Sequence, residues 1–179
     1  MADYVVIARF DQETEEKVCA LQEHLCREGY IKGISEWPPH ITIAAYENID
    51  IHVLLKWTEE FSNNHSPFDI MFASLGIFPP RGENSKITVI YASPSHSIEL
   101  VEFYFAFHEK LDEYCGNLGF WYSKKFGYPV IHSTLGTFDL LSIQKAIELI
   151  ITHNIFVRAK VIALEVYTYP MELIQRFEL

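Results

Sequence analysis

A chain of 179 residues can bury one sizeable core, and a formal net charge of −10 excludes a protein that coats nucleic acid through a general basic field. With 49% hydrophobic residues and 15% aromatics it is not a disordered chain, and no apolar stretch reaches the roughly 20 residues a membrane-spanning helix needs. A small anionic ligand in a local pocket stays open, which draws attention to the few basic residues: Arg9, Arg81 and the pair Lys124-Lys125.

In chain order, Tyr4–Phe10 reads as a strand, and the residues around it lack the basic region and cleavage site of a secretory leader. A helix over Glu13–Glu28 follows, with a stripe of Val18, Leu21 and Leu25, Thr14 as a candidate N-cap, and acidic residues Asp11, Glu13, Glu15 and Glu16 where the helix dipole favours them. Cys19 and Cys26 stand seven apart on it, too far to bridge, and no cysteine spacing suggests zinc. The expected setting is reducing and cytoplasmic. Next come a strand His40–Tyr46, a helix Asp50–Asn63 capped by Asp50 with Leu54, Trp57 and Phe61 on one face, and an alternating strand Phe68–Phe78. Pro79-Pro80-Arg81-Gly82-Glu83-Asn84 is a tight turn cluster. After it come a strand Lys86–Tyr91 and a helix Ser97–Tyr114 striped by Phe103, Phe107, Leu111 and Tyr114. A strand Val130–Phe138, a helix Leu140–His153 with Asp139 as candidate cap, and a strand Phe156–Tyr169 complete the chain.

The order is βαβαβ twice, over about residues 1–80 and 85–179, and each copy ends in an aromatic followed by proline, Phe78-Pro79 and Tyr169-Pro170. This predicts a single α+β domain of two pseudo-symmetric lobes, with antiparallel-rich sheets around a central cleft and helices outside. The middle strand of each copy carries a matching triplet after prolines: Pro39-His40-Ile41-Thr42 and Pro129-Val130-Ile131-His132-Ser133-Thr134. Residues i and i+2 of a strand share a face, so each triplet presents an imidazole beside a hydroxyl.

Two such strands facing each other suit acid–base chemistry on a phosphate ester. Histidine, with an unperturbed pKa of about 6.5, can be either base or acid near neutrality. Thr42 and Thr134 would donate hydrogen bonds to non-bridging phosphate oxygens. Tyr46, Tyr128 and Phe138 flank the triplets as candidate base-stacking residues, and Lys124 and Lys125 as candidate phosphate contacts, with core packing and solvated charge as the competing readings. His24, His52, His65, His96, His108 and His153 read as surface or capping residues. No metal and no cofactor is expected, because the triplets bring no carboxylates for a metal hydrolase. A module that binds a nucleotide or phosphorylated ligand without turnover is the other reading.

The two His-x-Thr motifs resemble those of the 2H phosphoesterase superfamily, which includes 2',5' RNA ligase-like proteins and 2',3'-cyclic nucleotide phosphodiesterases. That superfamily carries one His-x-Thr/Ser motif in each lobe of a duplicated fold. The motif's continuation departs from many ligase-like members: Ile43-Ala44-Ala45-Tyr46 stands after the first triplet, and Leu135-Gly136-Thr137-Phe138 after the second brings no strand-borne arginine. The resemblance implies a metal-independent phosphodiesterase acting on 2',3'-cyclic phosphates or 2',5'-linked nucleotides or RNA ends, with RNA-end ligation as an alternative. It implies His40, Thr42, His132 and Thr134 as catalytic residues, and as partner a small phosphorylated nucleotide or RNA end. The expected protein is a monomer with neither a membrane nor an extended nucleic-acid surface.

Overall fold

Alternation of buried and exposed side chains sets the sheet. In the computed structural model, which describes residues 3–33, 37–80, 85–127, 129–169 and 172–179, β4 (Phe68–Phe78) begins by burying Phe68, Ile70 and Phe72 while Asp69, Met71 and Ala73 stay exposed. The other strands are β1 (Tyr4–Phe10), β2 (Ile31–Gly33), β3 (His40–Tyr46), β5 (Ile87–Pro94), β6 (Ser133–Asp139), β7 (Arg158–Thr168) and β8 (Glu172–Glu178). Among the described residues all pairings are antiparallel, in the order β2-β6-β5-β4-β7-β1-β3, with β8 added to β7.

β4 and β7 pair through their first residues, Phe68 with Val161 and Ile70 with Ala159, and then part company. The rest of β4 joins β5, and the rest of β7 joins β1. β4 and β7 thus each cross to the sheet of the other half of the chain, which is what a pseudo-twofold relation through the β4–β7 crossing requires. At the far ends of the two sheets, β3 and β6 come back into contact. The duplicated α+β architecture expected from the sequence is the one observed.

Four helices cover the apolar faces: α1 (Gln12–Arg27), α2 (Ile51–Ser62), α3 (Ile98–Leu111) and α4 (Ile143–Thr152). Their buried stripes include Val18, Leu21 and Leu25, Leu54 and Phe61, Phe103 and Phe107, and Ala146 and Ile150, each large side chain contributing about 1.5–3 kcal/mol. Trp57, Phe61, Phe103 and Phe107 interlock where α2 meets α3, and the Trp57 indole donates to the Phe107 carbonyl at 3.0 Å. His24 and His153 meet at 2.9 Å between α1 and the end of α4.

Two N-cap expectations are corrected. Asp11, not Thr14, caps α1: its carboxylate accepts from the Thr14 N–H, and Thr14 is itself buried. Asp139 closes a turn, accepting from Leu141 and Ser142, so α4 starts three residues later than expected with Ser142 as its cap. Asp50 caps α2 as expected. α3 stops at Leu111 and tightens into a 3-10 turn over Asp112–Cys115. Two strands had no clear sequence signal: three-residue β2, and β8, an edge strand that buries only Phe177. Among the described residues no helix is long and apolar enough to cross a membrane.

Candidate functional site

β3 is an edge strand paired to β1, and the bulge in that pairing leaves His40 opposite Arg9 and Thr42 opposite Ile7. His40 and Thr42 are half-buried, while Ile41 and Ile43 are fully buried on the helix side. The second motif repeats the pattern. His132 lies one residue before β6, Thr134 is opposite Tyr91 of β5, and Ile131 and Leu135 are buried.

Both imidazoles are held in the same way. His40 Nδ1 lies 2.7 Å from the Pro38 carbonyl and His132 Nδ1 lies 2.6 Å from the Val130 carbonyl, in each case two residues back. A carbonyl only accepts, so each Nδ1 carries the proton and each Nε2 keeps its lone pair. The turn before His40 is shaped by Pro39, which pushes Pro38 into extended backbone.

Burial lowers the proton affinity of both rings. For His40 it outweighs the Pro38 hydrogen bond, the nearby positive charges of His132 and Arg9 lower it further, and the pKa falls to about 4. His132 is lowered by burial despite its bond to Val130. The effect of His132 on His40 means that the structure brings the two motifs within electrostatic reach of each other.

A second layer is also symmetric. Gln22 of α1 donates its amide to the Leu135 carbonyl at 3.2 Å, and His108 of α3 meets the Ile43 carbonyl at 2.8 Å with Nε2. Leu135 and Ile43 are the residues directly after the two motif threonines. A helix from each half of the chain therefore fixes the motif strand of the other half. His108 is 1% exposed, which corrects its expected place among surface or capping histidines.

The surroundings of the two motifs differ. Under His40, Glu165 is 2% exposed and accepts from Arg9 (2.6 Å), Arg176 (3.1 Å) and the Tyr167 hydroxyl (2.8 Å), while Arg9 also grips Glu15 at 2.8 Å. Burial pushes the Glu165 carboxyl up, but those hydrogen bonds hold it below the usual range. Arg9, one of the few basic residues the sequence draws attention to, is thus committed to two carboxylates. Trp37 sits 5.3 Å from the His40 ring and stacks on Tyr167. Around His132 the neighbours are Phe78 and Tyr91, each 5.0 Å away. A Cβ at Gly76 would overlap the end of the Tyr91 ring, so a side chain there would displace the ring from its place across β4.

Of the five flanking candidates, two are corrected. Tyr46 and Phe138 are entirely buried with no ring face for a nucleobase to stack on, because the bulges after both motifs turn them into the core. Tyr128 lies outside the described residues, as does Arg81. Lys124 and Lys125 are exposed on a 3-10 turn (Lys124–Phe126) beside a cluster of Phe120, Trp121 and Phe126. The half-buried aromatics at the motifs are instead Trp37, Phe78 and Tyr91. Trp37 stands just before the first motif, and Phe78 and Tyr91 sit on β4 and β5, where only strand register reveals them. Two surface hollows, neither lined by His40 or His132, lie between α1 and α4 and between α2 and α3.

A family model described as the 2'-5' RNA ligase superfamily matches residues 10–170. The chain belongs to that superfamily of 2H phosphoesterases. Among solved structures it is similar to the TT0787 protein of Thermus thermophilus, at 14% identity and a TM-score of 0.60, covering 99% of this chain and 97% of that one. It is also similar to Kluyveromyces marxianus Usb1 with uridine monophosphate, at 8% identity and a TM-score of 0.54, covering 99% and 98%. A further structure of Kluyveromyces marxianus Usb1 aligns at 9% identity and a TM-score of 0.51. These likenesses show a shared fold. No curated protein sequence matches the chain. The superfamily is largely enzymatic, with phosphodiesterases and ligases among its members, and membership supports a phosphoesterase or RNA-processing role.

Proposed function

We propose that the chain is a metal-independent phosphodiesterase that opens 2',3'-cyclic phosphates or cleaves 2',5'-linked nucleotides or RNA ends. The observation that carries this reading is the matched pair of imidazoles, each with Nδ1 tied to a carbonyl two residues back and Nε2 without a hydrogen-bond partner among the described residues. In-line displacement at phosphorus needs a proton taken from the attacking oxygen on one side and given to the leaving oxygen on the other. Two such Nε2 atoms on facing motifs are suited to those two transfers, and a bound uridine monophosphate in the Usb1 structure supports a nucleotide ligand.

Division of labour follows from proton affinity. Burial first, and then the neighbouring His132, lower the proton affinity of His40 to about 4, which suits it to be the proton acceptor of the pair. His40 is then the general base and His132 the general acid in the hydrolytic direction. Thr42 and Thr134 donate to the non-bridging oxygens, and Lys124 and Lys125 supply outlying positive charge. Trp37, Phe78 and Tyr91 offer half-buried faces on which a nucleobase can stack.

The test is a screen of 2',3'-cyclic mononucleotides, 2',5'-linked dinucleotides and RNA bearing cyclic-phosphate ends, each with and without chelator. Turnover of at least one class that persists with chelator is expected. Tight nucleotide binding with no turnover of any class would replace the enzyme with a binding module.

A further inference from the structure

The symmetric pair Gln22 and His108 performs one task, donating a hydrogen bond to the carbonyl after a motif threonine. Gln22 does this with an amide. His108 does it with Nε2–H and so brings a second ring nitrogen, Nδ1, to a buried position on the helix side of β3. That nitrogen faces Asp112 Oδ1 at 3.0 Å, and Cys115 Sγ lies 3.6 Å from the same oxygen. The three donor atoms all fall within 4.8 Å of one another. Tetrahedral zinc with ordinary Zn–N, Zn–O and Zn–S bonds spaces its ligands about 3.3–3.6 Å apart.

The arrangement is poorly satisfied by protons alone. Both nitrogens of His108 lie against acceptors, the Ile43 carbonyl and Asp112 Oδ1, and a neutral imidazole has only one proton to give them. Asp112 Oδ1 collects His108, Cys115 and the Lys124 N–H at 3.1 Å. Beside them, where the Glu47 N–H meets the Tyr114 carbonyl at 2.8 Å, Tyr46 is fully buried and its hydroxyl has no partner among the described residues.

We propose that His108 Nδ1, Asp112 and Cys115 form a structural binding site for one zinc-type divalent cation, with the Tyr46 hydroxyl, or a water it holds, at the fourth position. Asp112 is partly exposed and gives the ion its way in, while Nε2–H on the Ile43 carbonyl fixes the tautomer that leaves Nδ1 free to ligate. Cys115 gives its proton to solvent on binding, and any proton on His108 Nδ1 leaves too. The dication with one thiolate, one carboxylate and one neutral imidazole carries no net charge. Its effect is to lock α3 and the following turn onto the strand that holds His40 and Thr42. The spacing, His108 then Asp112 then Cys115, joins the end of a helix to a 3-10 turn.

The test is titration of the full-length, chelator-stripped and dialysed chain with Co²⁺ and then Zn²⁺. One equivalent of Co²⁺ should produce a thiolate-to-cobalt charge-transfer band, which one equivalent of Zn²⁺ removes. Zinc should raise the unfolding midpoint by roughly 5–10 °C. Cys115→Ser should abolish the band and the shift, Asp112→Asn should weaken binding at least about tenfold, and His24→Ala at the surface histidine pair should change neither. No stoichiometric binding to the wild-type chain would overturn the site. A band that survives Cys115→Ser would do the same, by placing the metal on Cys19 or Cys26.

Discussion

The two His-x-Thr motifs are alike in how they hold their imidazoles and unlike in what lies around them. His40 stands over an ionic network of Arg9, Glu15, Glu165 and Arg176, with Trp37 against its ring. His132 stands among Phe78 and Tyr91, where the β4–β5 register sets Gly76 under the Tyr91 ring. The comparison teaches which features the duplicated site cannot vary and which it can. Nδ1 bonded to a backbone carbonyl and a neighbouring helix donor on the next carbonyl are kept in both copies. The floor is free to diverge, and here it has separated into a charged support and an aromatic one.

The largest expected effect leaves the comparison intact. His40→Ala and His132→Ala should each lower turnover by at least about 10²–10⁴-fold, read in single-turnover assays, while circular dichroism stays native. Arg9→Met should expose the difference. It strips Glu165 and Glu15 of their main donor and should cost about 3 kcal/mol in urea unfolding, because Glu165 remains buried with a charge. The aromatic side has no such buried charge to leave unpaired, so an equal loss on Tyr91→Leu would contradict the contrast. Thr42→Ala and Thr134→Ala should each cost roughly 1–3 kcal/mol of transition-state stabilisation, appearing in kcat more than in KM.

The smallest effect is a displacement along the pH axis. A base held near 4 and an acid held below 6.5 make kcat/KM bell-shaped with its maximum between those values, on the acid side of neutrality. The limb rises with pH as His40 loses its proton and falls as His132 loses its own. A bound phosphate anion favours both imidazolium forms, so the kcat profile should lie at higher pH than that of kcat/KM. Stability has its own sign. Because folding lowers the affinity of His40, the unfolded chain takes up that proton first, and the His40 contribution weakens as pH falls from about 6.5 towards 4. Profiles of kcat and kcat/KM measured from pH 4 to 9 would check both the position and the shift.

Most of the architecture was legible because its periodicities are strong. β1, β3 and β4 begin and end where alternation and prolines put them, and all four helices follow apolar stripes. β8 was not, because Glu172 to Glu178 pairs through backbone groups and buries only Phe177. The motif residues were visible as a repeated triplet. Their supports were not, since Arg9, Tyr91, Phe78 and Glu165 reach the site through register across β1, β5, β4 and β7. Tyr46 and Phe138 misled for the same reason: period two predicts their faces only until a bulge intervenes, and each motif strand has one. His108 looked like any helical histidine, and only the fold sets it against the Ile43 carbonyl.

The central claim is that His40 and His132 act as one acid–base unit. Its most direct test compares the double variant His40→Ala/His132→Ala with the two single variants on the best 2',3'-cyclic or 2',5'-linked substrate. If the two rings share one reaction, removing the second after the first should cost little more, so the double variant should fall within about tenfold of the weaker single variant. Losses that multiply, or a single variant that keeps wild-type turnover, would contradict the account.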